Sequence, residues 1–330
     1  MPHYLVTGAA GFIAARVCEL VLDDGHTVVG VDNMNDAYDV RLKEWRLAQL
    51  EPRSGFTFSK LDICDKDALS ELFRANHEDG GSGFSAVINL AARAGVRQSV
   101  DDPWIYLETN AIGALNLLEL CREFNIQKYV LASTSSLYGK SNPRPYKEDG
   151  DTDGPLSPYA ASKKAAEALC HTYHYLHGLD ITVLRYFTVY GPAGRPDMSP
   201  FRFVQWVCEG RPLRLYGDGT QERDFTYVDD ITRGTIAALK PAGFEVINLG
   251  SGKPIVLDEF IRLIERLAGK SAEIECQPRH PADVDATWAD INKAREILSW
   301  QPEVDFKEGV ERLVTWYQQN RDWAKNIDTR

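Results

Sequence analysis

The chain has 330 residues, 44% of them hydrophobic and 26% charged, which is ordinary for a globular protein of one large or two smaller domains. Its net charge of −11 argues against nucleic acid and against an anionic membrane surface as partners. No stretch approaches the ~20 apolar residues of a membrane span, no signal peptide precedes the first strand, and the six cysteines are scattered without a C-x-x-C pair, so we expect a cytoplasmic protein with reduced thiols.

The N-terminal residues predict a strand, a glycine-rich turn and a helix. Residues 3–6 are apolar, and Gly8 and Gly11 follow directly. Glycines at such a turn let the backbone approach a pyrophosphate, whose negative charge the helix N-terminus stabilises. A second strand at 27–31 ends in Asp32, which can bind the adenosine ribose hydroxyls and would repel a 2′-phosphate. This pattern predicts a dinucleotide site that favours NAD over NADP.

Strand and helix patterns then alternate. Strands are predicted at 56–60, 85–90, 128–132 and 181–186, and helices before residue 50 and at 66–75, 103–124 and 159–177. This alternation predicts an α/β fold with a Rossmann-type doubly wound parallel sheet, forming an NAD-binding domain over 1–186. Shorter elements follow: strands at 213–216, 225–228 and 245–248, and helices at 229–239, 257–267, 291–298 and 306–321. We interpret 187–330 as a smaller mixed α/β lobe for the substrate, with 225–250 returning to the first domain.

A row of hydroxyl side chains follows the strand at 128–132: Ser133, Thr134, Ser135 and Ser136. This hydroxyl row lies at the sheet edge where open α/β folds bind ligands. On the helix at 159–177, Tyr159 and Lys163 are four residues apart and share a face. An ammonium beside a phenol lowers the phenol's pKa. A tyrosine base at neutral pH needs a shift of about 3 units, or roughly 4 kcal/mol, to which Lys163 and a positively charged nicotinamide ring could both contribute. A Y-x-x-x-K pair alone is more often a surface pair, but here it accompanies the hydroxyl row and the nucleotide motif.

Three histidines on the same helix, His171, His174 and His177, have a spacing that drifts around the helix. No carboxylate or thiol completes a ligand set, so no metal site is expected.

In combination these motifs resemble the extended short-chain dehydrogenase/reductase superfamily over nearly the whole chain. The resemblance rests on the T-G-x-x-G-x-x-A turn at 7–14, Asp32, Asp62 with Ile63, the stretch 89–92, the hydroxyl row, and Tyr159 with Lys163. The stretches 32–39, 94–99 and 185–198 resemble, within it, the nucleotide-sugar 4-epimerases that act on UDP-glucuronate.

The resemblance implies an isomerase with NAD as a tightly bound cofactor. It would catalyse the reversible C4 epimerisation of UDP-glucuronate to UDP-galacturonate through a 4-keto intermediate, without decarboxylation. Thr134 would hydrogen-bond the sugar 4-oxygen, Tyr159 would be the base, and Lys163 would hold the nicotinamide ribose. The residues expected to bind NAD are Gly8, Gly11, Phe12, Ile13, Asp32, Asn33, Asp62, Ile63, Leu90, Ala91, Ala92, Asn110, Tyr159, Lys163 and Tyr186.

The resemblance also implies a substrate site. Leu215 and Tyr216 would hold the uracil, Asp283 the uridine ribose, and Arg223 the diphosphate. Either Arg279 or His280 would add a second diphosphate contact, which the sequence leaves open. The residues expected around the sugar are Arg97, Thr134, Ser135, Ser136, Tyr159, Thr188 and Arg195.

In relatives the helices at 103–124 and 159–177 pack against their symmetry mates, which implies a homodimer. Apolar residues on a second stripe of each helix would form this surface: Leu115, Leu118, Cys121, Ala165, Leu169 and Tyr173.

Other chemistries of the superfamily need acids that this chain lacks. Dehydratases carry Asp-Glu after the threonine and decarboxylases carry Glu two residues before Tyr138, whereas this chain has Ser135 and Ser136. A UDP-glucose/UDP-galactose 4-epimerase is the serious alternative, since it differs only in the pocket around C6. A non-catalytic NAD-binding regulator ranks last, because it would be expected to lose Thr134, Tyr159 or Lys163.

Overall fold

The computed structural model describes residues 1–78, 83–279 and 283–329. Its strands are β1 His3–Thr7, β2 Thr27–Asp32, β3 Phe56–Lys60, β4 Ala86–Asn89, β5 Lys128–Thr134, β6 Asp180–Tyr186, β7 Thr188–Tyr190, β8 Leu213–Tyr216, β9 Glu222–Tyr227, β10 Phe244–Leu249, β11 Pro254–Val256 and β12 Ile274–Gln277. Its α-helices are α1 Phe12–Asp23, α2 Arg41–Leu50, α3 Lys66–Glu78, α4 Gln98–Asp101, α5 Pro103–Leu107, α6 Gly113–Glu123, α7 Pro158–His177, α8 Ser199–Glu209, α9 Val228–Ala237, α10 Leu257–Ala268, α11 Asn292–Leu298, α12 Phe306–Gln319 and α13 Arg321–Ala324.

The centre of the described chain is a parallel sheet of seven strands in the order β3-β2-β1-β4-β5-β6-β10. Strands such as β4 and β5 are buried throughout, as expected for strands covered on both faces. One face packs on α1, α9 and α11, and the other on α3, α6 and α7. The predicted doubly wound Rossmann-type fold is confirmed. Because strand order reverses between β1 and β4, the crevice for a ligand opens at their carboxyl ends.

The smaller C-terminal part is mixed, as predicted. Strands β11, β9 and β7 form a three-stranded sheet, and β12 pairs with β8 in parallel. Helices α8, α10 and α12 close over an aromatic core that includes Phe225, Phe260 and Phe306. The division at residue 186 stays a prediction. Within 225–250, β10 joins the edge of the central sheet, whereas β9 belongs to the smaller one.

The structure differs from the predicted elements in several places near the site, and strand β7, which begins at Thr188, is one element that was not predicted. Strand β5 continues through Thr134, so the hydroxyl row begins inside the sheet. The helix predicted at 103–124 is interrupted by a π-helical turn, Glu108–Ile112, around Asn110. Helix α8 was not predicted, because the glycine- and proline-rich stretch before it hides its start. In the part of the chain that is described, no helix is long and apolar enough to span a membrane.

Candidate active site

The glycine-rich turn has the shape of a phosphate cradle. Gly8 has φ +71°, and a Cβ on it would lie 2.9 Å from the backbone of Ala91. A Cβ on Gly11 would lie 2.8 Å from the carbonyl oxygen of Gly8. No side chain caps the start of α1, so the amide groups of its first turn are available to an anion.

A cavity opens above this turn, at the carboxyl edge of the sheet. It is lined by every residue that the sequence assigned to the cofactor except Asn110. The Asn110 amide instead bonds the backbone of Arg93, at 2.9 and 3.0 Å, and the hydroxyl of Ser162 at 2.8 Å. Asn110 therefore braces the loop after β4 against α7 from behind the cavity. The remaining donors and the glycine cradle fit a dinucleotide, so we name this the cofactor cavity.

At the far end of the cofactor cavity, Asp32 has a partner that the sequence did not reveal. The ammonium of Lys43 lies 3.2 Å from the Asp32 carboxylate, and both side chains are buried. Lys43 also donates to Asn35, and Asp32 accepts from the amide of Met34 at 2.8 Å. Nearby, burial alone would raise the pKa of Asp62, but hydrogen bonds from Cys64 and Asn33 lower it below its usual value.

The predicted base lies at the inner end of the cofactor cavity. Helix α7, which carries it, starts at Pro158 with the hydroxyl of Ser157 accepting from the amide of Ala160 at 3.2 Å. Burial raises the pKa of Tyr159, while its hydrogen bond with Thr134 and the charge of Arg195 act in the opposite direction. Burial also lowers the pKa of Lys163 to about 8.

The ammonium of Lys163 donates to the carbonyl oxygen of Ala132 at 2.7 Å. Tyr159 and Lys163 thus line one cavity, as predicted. In this structure, however, the groups that lower the tyrosine pKa are Thr134 and Arg195 rather than the lysine.

Hydroxyls lead from the base towards a second cavity. Thr134 bonds with Tyr159 on one side and donates to the hydroxyl of Ser136 at 3.1 Å on the other. The second cavity, which we call the substrate cavity, is lined by most of the residues predicted to bind the nucleotide-sugar: Arg97, Ser135, Ser136, Thr188, Leu215, Tyr216, Arg223 and Asp283. The row therefore links the predicted base to the predicted sugar pocket.

Arg97 crosses the end of the substrate cavity where uridine is predicted to bind. Its guanidinium lies 3.7 Å from the centroid of the Tyr216 ring and pairs with the Asp283 carboxylate at 2.6 Å. The two side chains predicted to hold uracil and its ribose are thus both in contact with one arginine.

Arg195 lies where the two cavities meet, and hydrogen bonds hold its glycine- and proline-rich loop in place. Its guanidinium forms a bidentate pair with Asp197, at 3.0 and 2.5 Å, and donates to the carbonyl oxygen of Ala94 at 3.1 Å. The buried Arg46 donates to the carbonyl oxygens of Ala193 and Gly194, at 2.7 and 3.2 Å, which fixes the loop before Arg195. Arg46 also donates to the carbonyl oxygen of Ala10 at 3.1 Å, so it ties this loop to the glycine-rich turn.

Arg279 does not line the substrate cavity. Its guanidinium pairs with Asp285 at 2.5 Å and with Asp218 at 3.0 Å, at an exposed position. His280, the alternative diphosphate contact, lies outside the described residues, so the sequence-based alternative is still open.

Comparison with known proteins identifies the family. Residues 5–313 match the family model described as GDP-mannose 4,6 dehydratase. The chain belongs to this family. The predicted membership of the extended short-chain dehydrogenase/reductases is thereby confirmed. In this family member, serine occupies both positions after Thr134 where the sequence analysis expects the acids of a dehydratase.

Individual relatives are epimerases. The UDP-glucuronate 4-epimerase of Thermodesulfobacterium geofontis is 56% identical over 328 residues, 99% of each chain. A crystal structure of UDP-glucuronic acid 4-epimerase from Bacillus cereus, in complex with UDP-glucuronic acid and NAD, has a TM-score of 0.89 at 39% identity and covers 96% of this chain and 99% of its own. A structure of UDP-glucose 4-epimerase from Thermotoga maritima with UDP-glucose has a TM-score of 0.88 at 30% identity, covering 97% and 99%.

A buried ion pair that was not predicted from the sequence lies beneath the hydroxyl row of this family member. Glu167, one turn after Lys163 on α7, accepts two hydrogen bonds from Arg185, at 3.0 and 2.8 Å. Glu167 also accepts from Ser133 at 2.5 Å, and Arg185 donates to the Tyr138 hydroxyl at 3.0 Å. The pair thus ties α7 to β5 and β6 beneath the predicted base. A glutamate four residues after the lysine was the available signal.

Each of the three histidines of α7 lies beside an aromatic ring, and His171 and His177 are exposed. The rings of His171 and His174 pack on Phe244, with centroids 5.2 and 5.5 Å apart, and His177 packs on Tyr173 at 5.3 Å. The described residues contain no group of three or more potential metal ligands.

Proposed function

We propose that this chain is an NAD-dependent epimerase that interconverts UDP-glucuronate and UDP-galacturonate at C4 of the sugar. The observation that carries the proposal is the line of hydroxyls Tyr159–Thr134–Ser136, which runs from the cofactor cavity into the substrate cavity. The predicted proton acceptor for the 4-hydroxyl thus adjoins both the cofactor cavity and, through Thr134 and Ser136, the substrate cavity. The 56% identity to a UDP-glucuronate 4-epimerase along the whole chain supports the choice of substrate.

Each side chain has a stated task in this proposal. NAD, when bound, takes up and returns the hydride of C4. Tyr159 removes the proton of the 4-hydroxyl, and Thr134 orients both oxygens through its own hydroxyl. Lys163, fixed on the carbonyl of Ala132, holds the nicotinamide ribose from the buried side of the cavity. The 4-keto sugar then turns within the substrate cavity and receives the hydride on its other face.

A uronate substrate requires the epimerase to prevent loss of the sugar carboxylate as CO₂, which a neutral sugar does not. Oxidation at C4 creates a β-keto acid, which loses CO₂ readily when its C5–C6 bond aligns with the ketone π system. An epimerase must therefore hold the carboxylate away from that alignment. Ser135, Ser136 and Thr188 offer neutral donors in the substrate cavity, and Arg195 offers a cation whose charge Asp197 already balances. None of these groups is a carboxylate base, so the site suits retention of C6.

An assembly and a location complete the proposal. The expected homodimer would use the outer face of α5, the π-helical turn and α7, where Trp104, Ile112 and Tyr175 are 73%, 50% and 78% exposed. This surface differs from the dimer surface expected from the sequence. Leu118 and Cys121, which were expected there, are fully buried within the subunit. A cytoplasmic location agrees with the free thiols of the cysteines.

The deciding experiment compares products from UDP-glucuronate and UDP-galactose, each given to the purified protein without added cofactor. We expect UDP-galacturonate from the uronate, reversibly, with little UDP-pentose. Ser136→Ala should raise the share of UDP-pentose or of released NADH, because each lost hydroxyl contact is worth ~0.5–1.5 kcal/mol of orientation. Faster epimerisation of UDP-galactose would favour the UDP-glucose/UDP-galactose alternative, and mainly UDP-pentose would indicate a decarboxylase.

A further inference from the structure

The substrate cavity carries more positive charge than its own carboxylates balance. Its charged lining consists of four arginines and two aspartates: Arg97, Arg202, Arg214, Arg223, Asp197 and Asp283. Asp283 pairs with Arg97, and Asp197 pairs with Arg195. Within the described residues, no carboxylate lies close enough to Arg202, Arg214 or Arg223 to form an ion pair.

Arg202 is the most constrained of these three arginines. Its Nε is buried and has no hydrogen-bond partner among the described residues. The guanidinium carbon lies 5.9 Å from the Trp206 ring, which covers one side. Burial lowers the pKa of Arg202, and nearby Arg97 and Arg214 act in the same direction. A buried donor without an acceptor destabilises the free protein, and a bound anion would remove that cost.

The position of Arg202 in its helix is also unfavourable for a cation. Arg202 lies in the first turn of α8, at the end where the helix dipole is positive. No side chain caps this helix start, so its amide groups and the guanidinium present positive charge together. Such a local conflict is expected where a residue serves a ligand rather than the fold.

The neighbours of Arg202 indicate which part of a nucleotide-sugar its guanidinium would contact. Asp197 and Tyr216 are its favourable electrostatic neighbours. Asp197 holds Arg195 at the sugar end, and Tyr216 marks the predicted uracil end. Arg223, from β9, donates to the carbonyl oxygens of Glu222 and Asp285 at 2.8 and 3.3 Å.

We propose that Arg202 is a diphosphate-binding residue, which approaches the nucleotide-sugar from α8 while Arg223 approaches from β9. This inference rests on the proposed function, because it assumes a UDP-sugar in the substrate cavity. Total charge agrees with it: the diphosphate brings two negative charges and the glucuronate carboxylate a third, which three unpaired arginines match.

The test measures affinity for UDP, UDP-glucuronate and UDP-galactose by titration calorimetry. Arg202→Met keeps the aliphatic stem and removes the charge, and Arg202→Lys keeps the charge. The matched control is Arg266→Met, because Arg266 is exposed on α10 outside the cavity. We expect Arg202→Met to weaken all three ligands by the same factor, about 10- to 100-fold, with partial recovery in Arg202→Lys and no change in the control.

A second measurement separates binding from folding. Without nucleotide, Arg202→Met should unfold at or above the wild-type temperature, while its stabilisation by UDP should shrink. Unchanged affinity for UDP, or a loss confined to UDP-glucuronate, would overturn the proposal. So would a lower unfolding temperature of the nucleotide-free variant. UDP binding that depends on Arg202 would stand even if the wild type failed to epimerise UDP-glucuronate, so the two proposals can fail separately.

Discussion

Asp32→Ala offers a demanding test of the cofactor site, because the change leaves the buried ammonium of Lys43 without its carboxylate. The two charged groups lie 3.2 Å apart, and both side chains are 6% exposed. At an effective dielectric of ~20, charges at that distance attract by about 5 kcal/mol. Removing one partner of a buried pair typically costs ~3–5 kcal/mol, because the other charge stays buried. Asn35, also 3.2 Å from the ammonium, offers only a neutral oxygen as a substitute.

The expected result has a stability part and a cofactor part. Nucleotide-free Asp32→Ala should unfold at a temperature lower by on the order of 10 °C. Asp32→Ala/Lys43→Met should recover most of that loss, because replacing both partners of a buried pair by apolar groups is often neutral. The single variant should bind NAD more weakly and NADP more tightly than the wild type, since its free ammonium can pair with a 2′-phosphate. The double variant should lose this gain for NADP.

The assay combines thermal unfolding of nucleotide-stripped protein with calorimetric titration of NAD and NADP into the wild type, both single variants and the double variant. The four proteins form a double-mutant cycle, which isolates the coupling between the two side chains. The reasoning would be refuted if the single Asp32 variant and the double variant had equal unfolding temperatures and equal ratios of the NAD Kd to the NADP Kd.

Three further predictions concern the base, its lysine and the assembly. Tyr159→Phe should lower kcat ~10²–10⁴-fold with little change in the Kd of UDP-glucuronate, and near wild-type turnover would mean that another group is the base. Burial lowers the pKa of Lys163 from 10.5 to about 8 in the folded protein. The charged ammonium therefore destabilises the folded state below pH 8, and this destabilisation has disappeared above pH 10.5. In denaturant titrations the wild type should therefore gain stability relative to Lys163→Met between these pH values, and a constant difference would contradict the shift. Light scattering at micromolar concentration should give a dimer for the wild type and a monomer for Trp104→Ser/Tyr175→Ser, and a monomeric wild type would rule out the proposed assembly.

The sequence predicted best those parts of the site that lie next to one another in the chain. The glycine turn, Asp32 and the residues after β4 could be predicted because a βαβ unit brings consecutive strand ends to one edge of the sheet. Tyr159 and Lys163 could be paired because four residues make about one helical turn. The spacing of residues within these motifs was therefore enough to predict most of the residues that line the cofactor cavity.

The sequence could not predict contacts between distant segments that periodicity does not encode. Arg46 reaches Ala193, 147 residues further along the chain, and fixes the loop of Arg195. The glycines and prolines of that loop do not by themselves indicate a fixed conformation, because the arginine that holds them is distant in the sequence. Glu167 and Arg185 likewise read as ordinary charged residues, and their burial follows only from the packing of α7 on β5 and β6.

The electrostatics of Tyr159 connect cofactor binding to catalysis. In the protein alone, burial raises the pKa of Tyr159, and the ammonium of Lys163 donates its hydrogen bond to a backbone carbonyl. The phenol is therefore protonated at neutral pH in the protein alone. In the proposed mechanism this pKa is lowered by the positive charge of the nicotinamide ring, together with the hydrogen bond between Tyr159 and Thr134 and the charge of Arg195. Under this proposal Tyr159 becomes a base only when NAD, the hydride acceptor, is bound, so the proton and the hydride leave C4 under the same condition.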